Sequence, residues 1–305
     1  MEFLQQVANA LTQGAIYALI ALGYTLVYGV LRLINFAHGD VYMLGAFFGL
    51  FISRWTGALT LSQNNKSVPL WMTAVVFVGA MIGSALVGMV IERFAYRPLR
   101  TAPRLTALIT AIGVSLLLEY GGQMAFSPDP QPFAALIAER NIIDTPSFSL
   151  SLVQLFIVGA ALLLMLSLNF LIQKTKIGRA MRAVSIDRAA AQLMGIPTDR
   201  IIAFTFALGS GLAAAAGVLN SIYQPSIDPL MGVQVGLRAF VAAVLGGIGN
   251  IYGAVLGGLL MAFAETATVA VGLSRYRDAV AFAILILVLL VRPAGILGRN
   301  VAEKV

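Results

Sequence analysis

The chain has 305 residues, 59% of them hydrophobic and 11% charged, with a net charge of +7, a mean hydropathy of +0.90 and no cysteine. A soluble domain carries about 25% charged residues, so a water-facing shell around this much apolar side chain is excluded and lipid is the solvent for most of the chain. The lack of cysteine excludes disulfides and thiolate metal sites, and the basic residues lie between apolar runs, as the positive-inside bias of a membrane protein requires, rather than in a nucleic-acid-binding patch.

Taken in chain order, "MEFLQQVANALTQG" has no basic region and no small-residue cleavage site, so it is read as uncleaved. A helix needs roughly 20 apolar residues to cross the hydrocarbon. Predicted spans are Gly14–Leu31, a full or half crossing at Phe36–Ile52, Val68–Ile91, Leu105–Phe126, Ser149–Ile172, Ile201–Ile227 and the glycine-rich Ala239–Ala264. A final pair runs from about Asn250 to Leu273 and from Ser274 to Val291. The expected fold is an all-α polytopic membrane protein of about eight crossings, a single transmembrane domain over residues 1–305. Polar or glycine-rich interruptions at Leu31–Gly45 and Gly232–Gly257 predict broken or re-entrant helices, which are tolerated where they are buried in protein or line a water-filled cavity.

Charge orients the bundle. Glu92, Arg93, Arg97, Arg100 and Arg104 carry a net +3. The stretch Lys174–Arg200 carries +4 and the tail after Val291 carries +2 through Arg292, Arg299, Glu303 and Lys304. The Pro128–Leu150 loop carries −2. The three basic segments, and with them the C-terminus, are expected inside and the acidic loop outside. Arg54 and Lys66 run against this rule, because they fall in a loop placed outside.

Three polar stretches interrupt the apolar pattern. In "LRLINFAHGDVYMLGAF", Leu31–Phe47, Asn35 is read as a helix N-cap and Asp40 as an acid in a first helical turn. A capped hinge explains these residues, and so does a translocation path lined by Asn35, His38 and Asp40; the two readings are compatible. In "GVQVGLRAFVAAVLGGIGNIYGAVLGG", Gly249, Gly253 and Gly257 recur every fourth residue, as a close-packing helix face does. Arg238 in that stretch either snorkels to the interface, pairs with Glu265 or attracts a carboxylate substrate. In "KTKIGRAMRAVSIDRAAAQLMGIPTDR", short helices are expected, ended by Gly195 and Pro197. A solvated basic loop has no need of Ile186, Leu193, Met194 and Ile196, so an exposed apolar edge for a soluble partner is the favoured reading.

Other chemistries lack their residues. There is no Gly-Lys pair and hence no phosphate-binding P-loop, no His-Glu-x-x-His and no Gly-x-Ser-x-Gly. With one histidine there is no typical zinc site. Neither a metal nor a cofactor is expected, and the chain is read as a transport subunit without an ATPase site of its own. The competing reading is an ion-coupled secondary transporter of a small polar solute, for which His38, Asp40, Glu119 and Glu265 are the available proton or ion carriers.

Four long segments, "YALIALGYTLVYGVLRLINFAHGDVYMLGAF", "GRAMRAVSIDRAAAQLMGI", "GLRAFVAAVLGGIGNIYGAVLGG" and "YRDAVAFAILILVLLVRPAGILG", occur in one order along nearly the whole chain. Together they resemble the LivH-type permease of bacterial branched-chain amino acid ABC transporters. The resemblance implies a type II-like importer permease in the cell inner membrane. Its partners would be a second, LivM-like permease, two cytosolic ATP-binding subunits, a periplasmic amino acid binding protein, the amino acid and membrane lipid, with no nucleic acid. It also implies that residues 174–200 form a cytoplasmic ATPase-docking loop, with Arg182, Asp187, Arg188, Ala189, Ala190, Ala191 and Gly195 as coupling residues. Permeases of this kind often carry Glu-Ala-Ala, three residues, then Gly; here Ala189 replaces the glutamate. Arg32 is a second departure, where a small or apolar residue is expected, and suggests a position at the interface.

Overall fold

The computed structural model describes residues 2–100, 102–145 and 148–298; Arg299, Glu303 and Lys304, counted above in the basic tail, lie outside them. The helices are α1 (Glu2–Leu31), α2 (His38–Thr56), α3 (Ala58–Gln63), α4 (Leu70–Ile91), α5 (Arg104–Phe126), α6 (Leu152–Lys174), α7 (Lys176–Ile186), α8 (Arg188–Leu193), α9 (Thr198–Tyr223), α10 (Met231–Gly246), α11 (Ile251–Ala270) and α12 (Arg277–Val291). α4 continues through a π-helical turn at Glu92–Tyr96 and a 3-10 turn at Arg97–Leu99. Among the described residues six helices are long and apolar enough to cross a membrane. The shorter α2, α10 and α12 run beside them, so the bundle brackets the expected eight crossings.

Two short antiparallel pairs, β1 (Gln131–Pro132) with β4 (Ser226–Ile227) and β2 (Asn141–Thr145) with β3 (Phe148–Ser151), close the end of the bundle that carries the acidic loop. Arg54, in the last turn of α2 rather than in the loop expected to hold it, donates to Gln131 at 2.8 Å, so the end of α2 lies here, as the order of spans requires. The N-terminus of α1 lies there too, since Gln5 accepts from the Ser149 amide and Gln154 donates to Asn9. The opposite end gathers the π-helical turn, α7, α8 and the start of α9, where Arg97 and Arg100 bond Asp199.

α1 and α9 form the centre. Residues Ile16–Val27 of α1 and Gly209–Ile222 of α9 are buried almost throughout. Small residues in "GSGLAAAAG" let neighbouring backbones approach α9 closely: a Cβ on Gly45 would sit 2.3 Å from the Ala214 Cα, and one on Gly217 2.3 Å from the Tyr42 carbonyl oxygen. Around them α4, α5, α6, α11 and α12 turn apolar side chains such as Ile82, Leu117, Leu163, Leu260 and Leu290 outward, the arrangement for a lipid solvent.

The packing repeats in inverted order. α1 lies on α11 as α9 lies on α4; α2 bridges α9 and α4 as α10 bridges α1 and α11; α5 lies against α2 as α12 lies against α10. Each helix runs opposite to its counterpart, so α1–α2–α4–α5 and α9–α10–α11–α12 are two units related by an approximate two-fold axis in the membrane plane. Counterparts meet on the axis: Gly23 against Gly209, and Gly39 against Gly232, where a Cβ on either residue of the second pair would lie 2.5 Å from the other's carbonyl oxygen.

Three local expectations are corrected. Ala239–Ala264 is not one span: the chain leaves α10 at Gly246 and re-enters helix only at Ile251, because Gly247 and Gly249 take φ of +104° and +96°, a left-handed region favoured by glycine. Gly249 is therefore outside the helix, and the close-packing face is carried by Gly253 and Gly257 against Gly246 and Ala242 of α10. Asn35 does not cap α2; Ala37 holds that position without a side-chain bond, since the Asn35 side chain is used elsewhere.

Candidate functional site

The polar segment 32–37 joins α1 to α2. α1 ends as Arg32 turns to φ +57°. Asn35, buried, accepts a 2.9 Å hydrogen bond at Oδ1 from the Tyr96 hydroxyl, which ties the segment to the π-helical turn of α4. His38, also buried, packs edge-on against the Tyr24 ring at 4.7 Å and fills the notch left by Gly23. Its amide donates to the Asn35 carbonyl. Asn35 and His38 thus hold helices together, away from open space.

Asp40 is placed differently. It is buried, accepts from the Ser115 hydroxyl of α5 at 2.5 Å, and lines a groove of about 180 Å³ with Ser115, Glu119, Tyr24, Gly232 and Gly236. Glu119 Oε1 lies 3.3 Å from the same hydroxyl oxygen. The groove lies where the starts of α2 and α10 meet and opens between α5 and α10. Two helices begin here, leaving the first-turn amide groups of each without intrahelical partners.

On the other side of Leu237 a second cavity, about 120 Å³, is lined by Gln234, Arg238 and Asp278. Arg238 donates to Asp278 at 3.0 Å through Nε and to the Tyr17 hydroxyl at 3.4 Å, and lies 3.7 Å from Glu265. Glu265, fully buried on α11, also accepts from Tyr17 at 2.9 Å and from Arg277 Nε at 2.6 Å. Arg238 pairs chiefly with Asp278, and the Glu265 expected as its partner is the more distant acid. The network fastens α12 to α1, α10 and α11, and a charged group at membrane depth is tolerated because it is paired. Tyr17, Ser115, Arg277 and Asp278 were not singled out in the sequence; for Arg277 and Asp278 the signal was a charged pair abutting the last apolar run.

At the basic end the stretch 174–200 forms two short helices. Thr175 accepts from the Gly178 amide to start α7, and Asp187 accepts from the Ala190 amide at 2.9 Å to start α8. Asp187 is thus engaged as an N-cap. Gly195, at φ +79°, ends α8: its amide bonds the Gln192 carbonyl and the Ile196 amide bonds the Ala191 carbonyl, a Schellman closure. Arg182 reaches back to the Ile172 carbonyl of α6. Ala191 is buried and Ala189 and Ala190 are exposed, while Arg188 lies 3.8 Å from Asp199. Ile186, Leu193 and Met194 are 86%, 90% and 82% exposed at the tip. Among the described residues no group of three or more His, Cys, Asp or Glu side chains could hold a metal.

An inverted bundle of membrane-crossing helices, with the starts of α2 and α10 meeting at the Asp40 groove, is the architecture of a polytopic membrane protein. Residues 6–289 match the model of the branched-chain amino acid transport system / permease component family, and the chain belongs to that family. It is 44% identical to the high-affinity branched-chain amino acid transport system permease protein LivH of Salmonella typhimurium, over 100% of this chain and 98% of the relative. It is 43% identical to BraD of Pseudomonas aeruginosa, with the same coverage. A more distant relative, at 26% identity over 92% of the chain and 83% of the relative, is the ribose import permease protein RbsC of Haemophilus influenzae. Among solved structures, PsaBC from Streptococcus pneumoniae in complex with Fab aligns over 94% of this chain and 91% of that one, with a TM-score of 0.47 and 13% identity.

Proposed function

We propose that the chain is one permease of an importer for branched-chain or other neutral amino acids, driven by ATP hydrolysis on two cytosolic subunits that grip residues 174–200. A second related permease completes the translocation path, and a periplasmic binding protein delivers the amino acid. The basic end and the C-terminus then face the cytoplasm. The observation that carries this reading is the α7–α8 tip, where three large apolar side chains stand in water on helices anchored at both ends. Burying them is worth about 1.5–3 kcal/mol each, which only a partner can supply. A ligand shifts an equilibrium only by its different affinity for two states; a tip joined to α6 and α9 gives ATP-driven closure such a lever.

The double variant Leu193→Ser/Met194→Ser tests it. Neither side chain is packed, so the variant should melt with wild type, whereas ATP-driven leucine uptake in proteoliposomes holding the assembled complex should fall at least about tenfold. Unchanged uptake would refute docking through this tip. Uptake by the lone chain on a proton or sodium gradient, indifferent to ATP, would favour the ion-coupled alternative.

The groove at Asp40 is the proposed wall of the path. It sets Asp40, Ser115 and Glu119 in an otherwise apolar lining and opens on a side of the bundle flanked by α5 and α12, counterparts in the inverted repeat whose outer faces are apolar. Asp40→Leu is expected to lower uptake roughly tenfold or more while the complex assembles, because a carboxylate that accepts from Ser115 is replaced by a branched apolar side chain in a cavity of about 180 Å³. Wild-type uptake by an assembled Asp40→Leu complex would remove this groove from the path.

A further inference from the structure

A further cavity, separate from the Asp40 groove, lies behind the docking stretch. It measures about 610 Å³ and lies at the basic end, between the turns that extend α4, the end of α8 and the start of α9. Arg93, Arg97, Arg188 and Arg200 line it, and Met89 and Ala203 form its inner wall. Two acids face them, Glu92 and Asp199, and both are engaged: Glu92 by Arg100, and Asp199 by Arg97 and Arg100 with Arg188 at 3.8 Å. Counting Arg100, five arginines against two carboxylates leave three positive charges uncompensated. Among the described residues neither Arg93 nor Arg200 has an acid within ion-pair distance.

We propose that this cavity binds the phosphate of an anionic phospholipid. Arginine matches phosphate with paired, charge-assisted hydrogen bonds, and a multiply basic cavity between helices at the cytoplasmic face suits an anionic head group. Depth selects the lipid. Arg93 and Arg97 stand on the last turns of a span, and Arg200 on the first turn of another, so the guanidinium groups lie at head-group level. Met89 and Ala203, one turn further in, give the glycerol and upper acyl chain an apolar wall. Ile186, Leu193 and Met194 are not part of the lining, whereas Arg188 and Gln192 of α8 are, so a lipid here shares α8 with the docked subunit without covering the three apolar side chains. The backbone is specialised at the same spot: the π-helical turn Glu92–Tyr96 carries Glu92 and Arg93, and such turns are frequent at functional sites. Burial draws the Arg188 guanidinium below its ordinary pKa and the Arg100 charge adds to this; a bound phosphate offsets the second effect. Because α8 forms one wall, lipid occupancy sets the footing of the proposed coupling helix.

The full chain, purified in a non-ionic detergent without phosphate, is mixed in turn with phosphatidylglycerol, phosphatidylcholine and inorganic phosphate. Native mass spectrometry reads bound lipid and thermal melting reads stabilisation. Phosphatidylglycerol should be retained and should raise Tm, while the other two do neither. Arg93→Gln/Arg200→Gln, at two exposed positions, should melt like wild type without lipid and bind phosphatidylglycerol roughly twenty- to thirtyfold more weakly, about tenfold per 1.4 kcal/mol for two surface cations. Arg54→Gln, at the opposite end, should bind as wild type. Equal binding by the double variant, or equal retention of phosphatidylcholine, overturns the site; a Tm rise with inorganic phosphate matching that with the lipid overturns the lipid and leaves a free-anion site.

Discussion

Gly45→Ala is expected to cost the permease about 3 kcal/mol or more, seen as a drop in detergent Tm and in the yield of folded chain. The added Cβ would lie 2.3 Å from the Ala214 Cα and 2.6 Å from its Cβ. Those atoms are backbone and first side-chain carbon of a buried helix, so neither can swing aside. α2 must move off α9, and overpacking of this kind costs about 1–3 kcal/mol where side chains can adjust, more where they cannot. The lost contact is the one a membrane helix pair depends on, because lipid supplies no hydrophobic drive and close packing does the work. Gly113→Ala is the control: nothing lies within 4 Å of its Cβ, and alanine is the better helix former by about 1 kcal/mol. It should leave Tm unchanged or slightly raised. Equal melting of the two variants would mean that α2 and α9 are not in contact as described.

The second large effect is at Glu265. Removing one member of a fully buried ion pair costs about 3–5 kcal/mol, because the partner is left charged and unpaired; Glu265 is fully buried but the Arg277 side chain is 33% exposed, so water takes up part of that cost here. Glu265→Ala leaves Arg277 without its carboxylate and Tyr17 without its acceptor, and Arg238 keeps Asp278. Tm should fall by several degrees. Glu265→Gln keeps an acceptor for Tyr17 and the side-chain volume, so it should fall less. The double variant Glu265→Ala/Arg277→Ala should recover part of the loss, since contacting residues do not add. No recovery would show that Glu265 stabilises through Tyr17 and Arg238 alone.

The spans were legible because lipid imposes one rule on a long stretch: every backbone polar group must be satisfied within its own helix. Val68–Ile91 and Leu105–Phe126 therefore match α4 and α5 to within two residues. The hinge at 32–37 was legible as a polar interruption, but the duty of each residue in it was not. Asn35 has the chemistry of an N-cap, and nothing local reveals that Tyr96, sixty-one residues on, takes its side chain. The break at Gly247–Asn250 falls inside the interruption expected at Gly232–Gly257, but its exact place was not legible, since glycine reads as tight packing and as left-handed turn alike, and Gly249 is the second while Gly253 is the first. Asp187 shows the same limit at the basic end, where its carboxylate caps α8.

The amino-acid sequence by itself determined that the chain lives in lipid, where its helices run, which end is basic, that residues 174–200 form short helices ended by Gly195 with apolar side chains among them, and, through its long motifs, the permease family. These follow from hydropathy, charge and turn chemistry, which act over a few residues to one span. Only the tertiary structure decided that two units are related by inversion, that Gly39 and Gly232 meet on their axis, that Asp40 lines a groove while His38 fills a notch, and that arginines from 93 to 200 surround one cavity. Those facts depend on which helix faces which, and in a membrane that choice is made by close contact between small residues and by pairing of buried charges across long sequence separations, neither of which leaves a periodic trace in the chain.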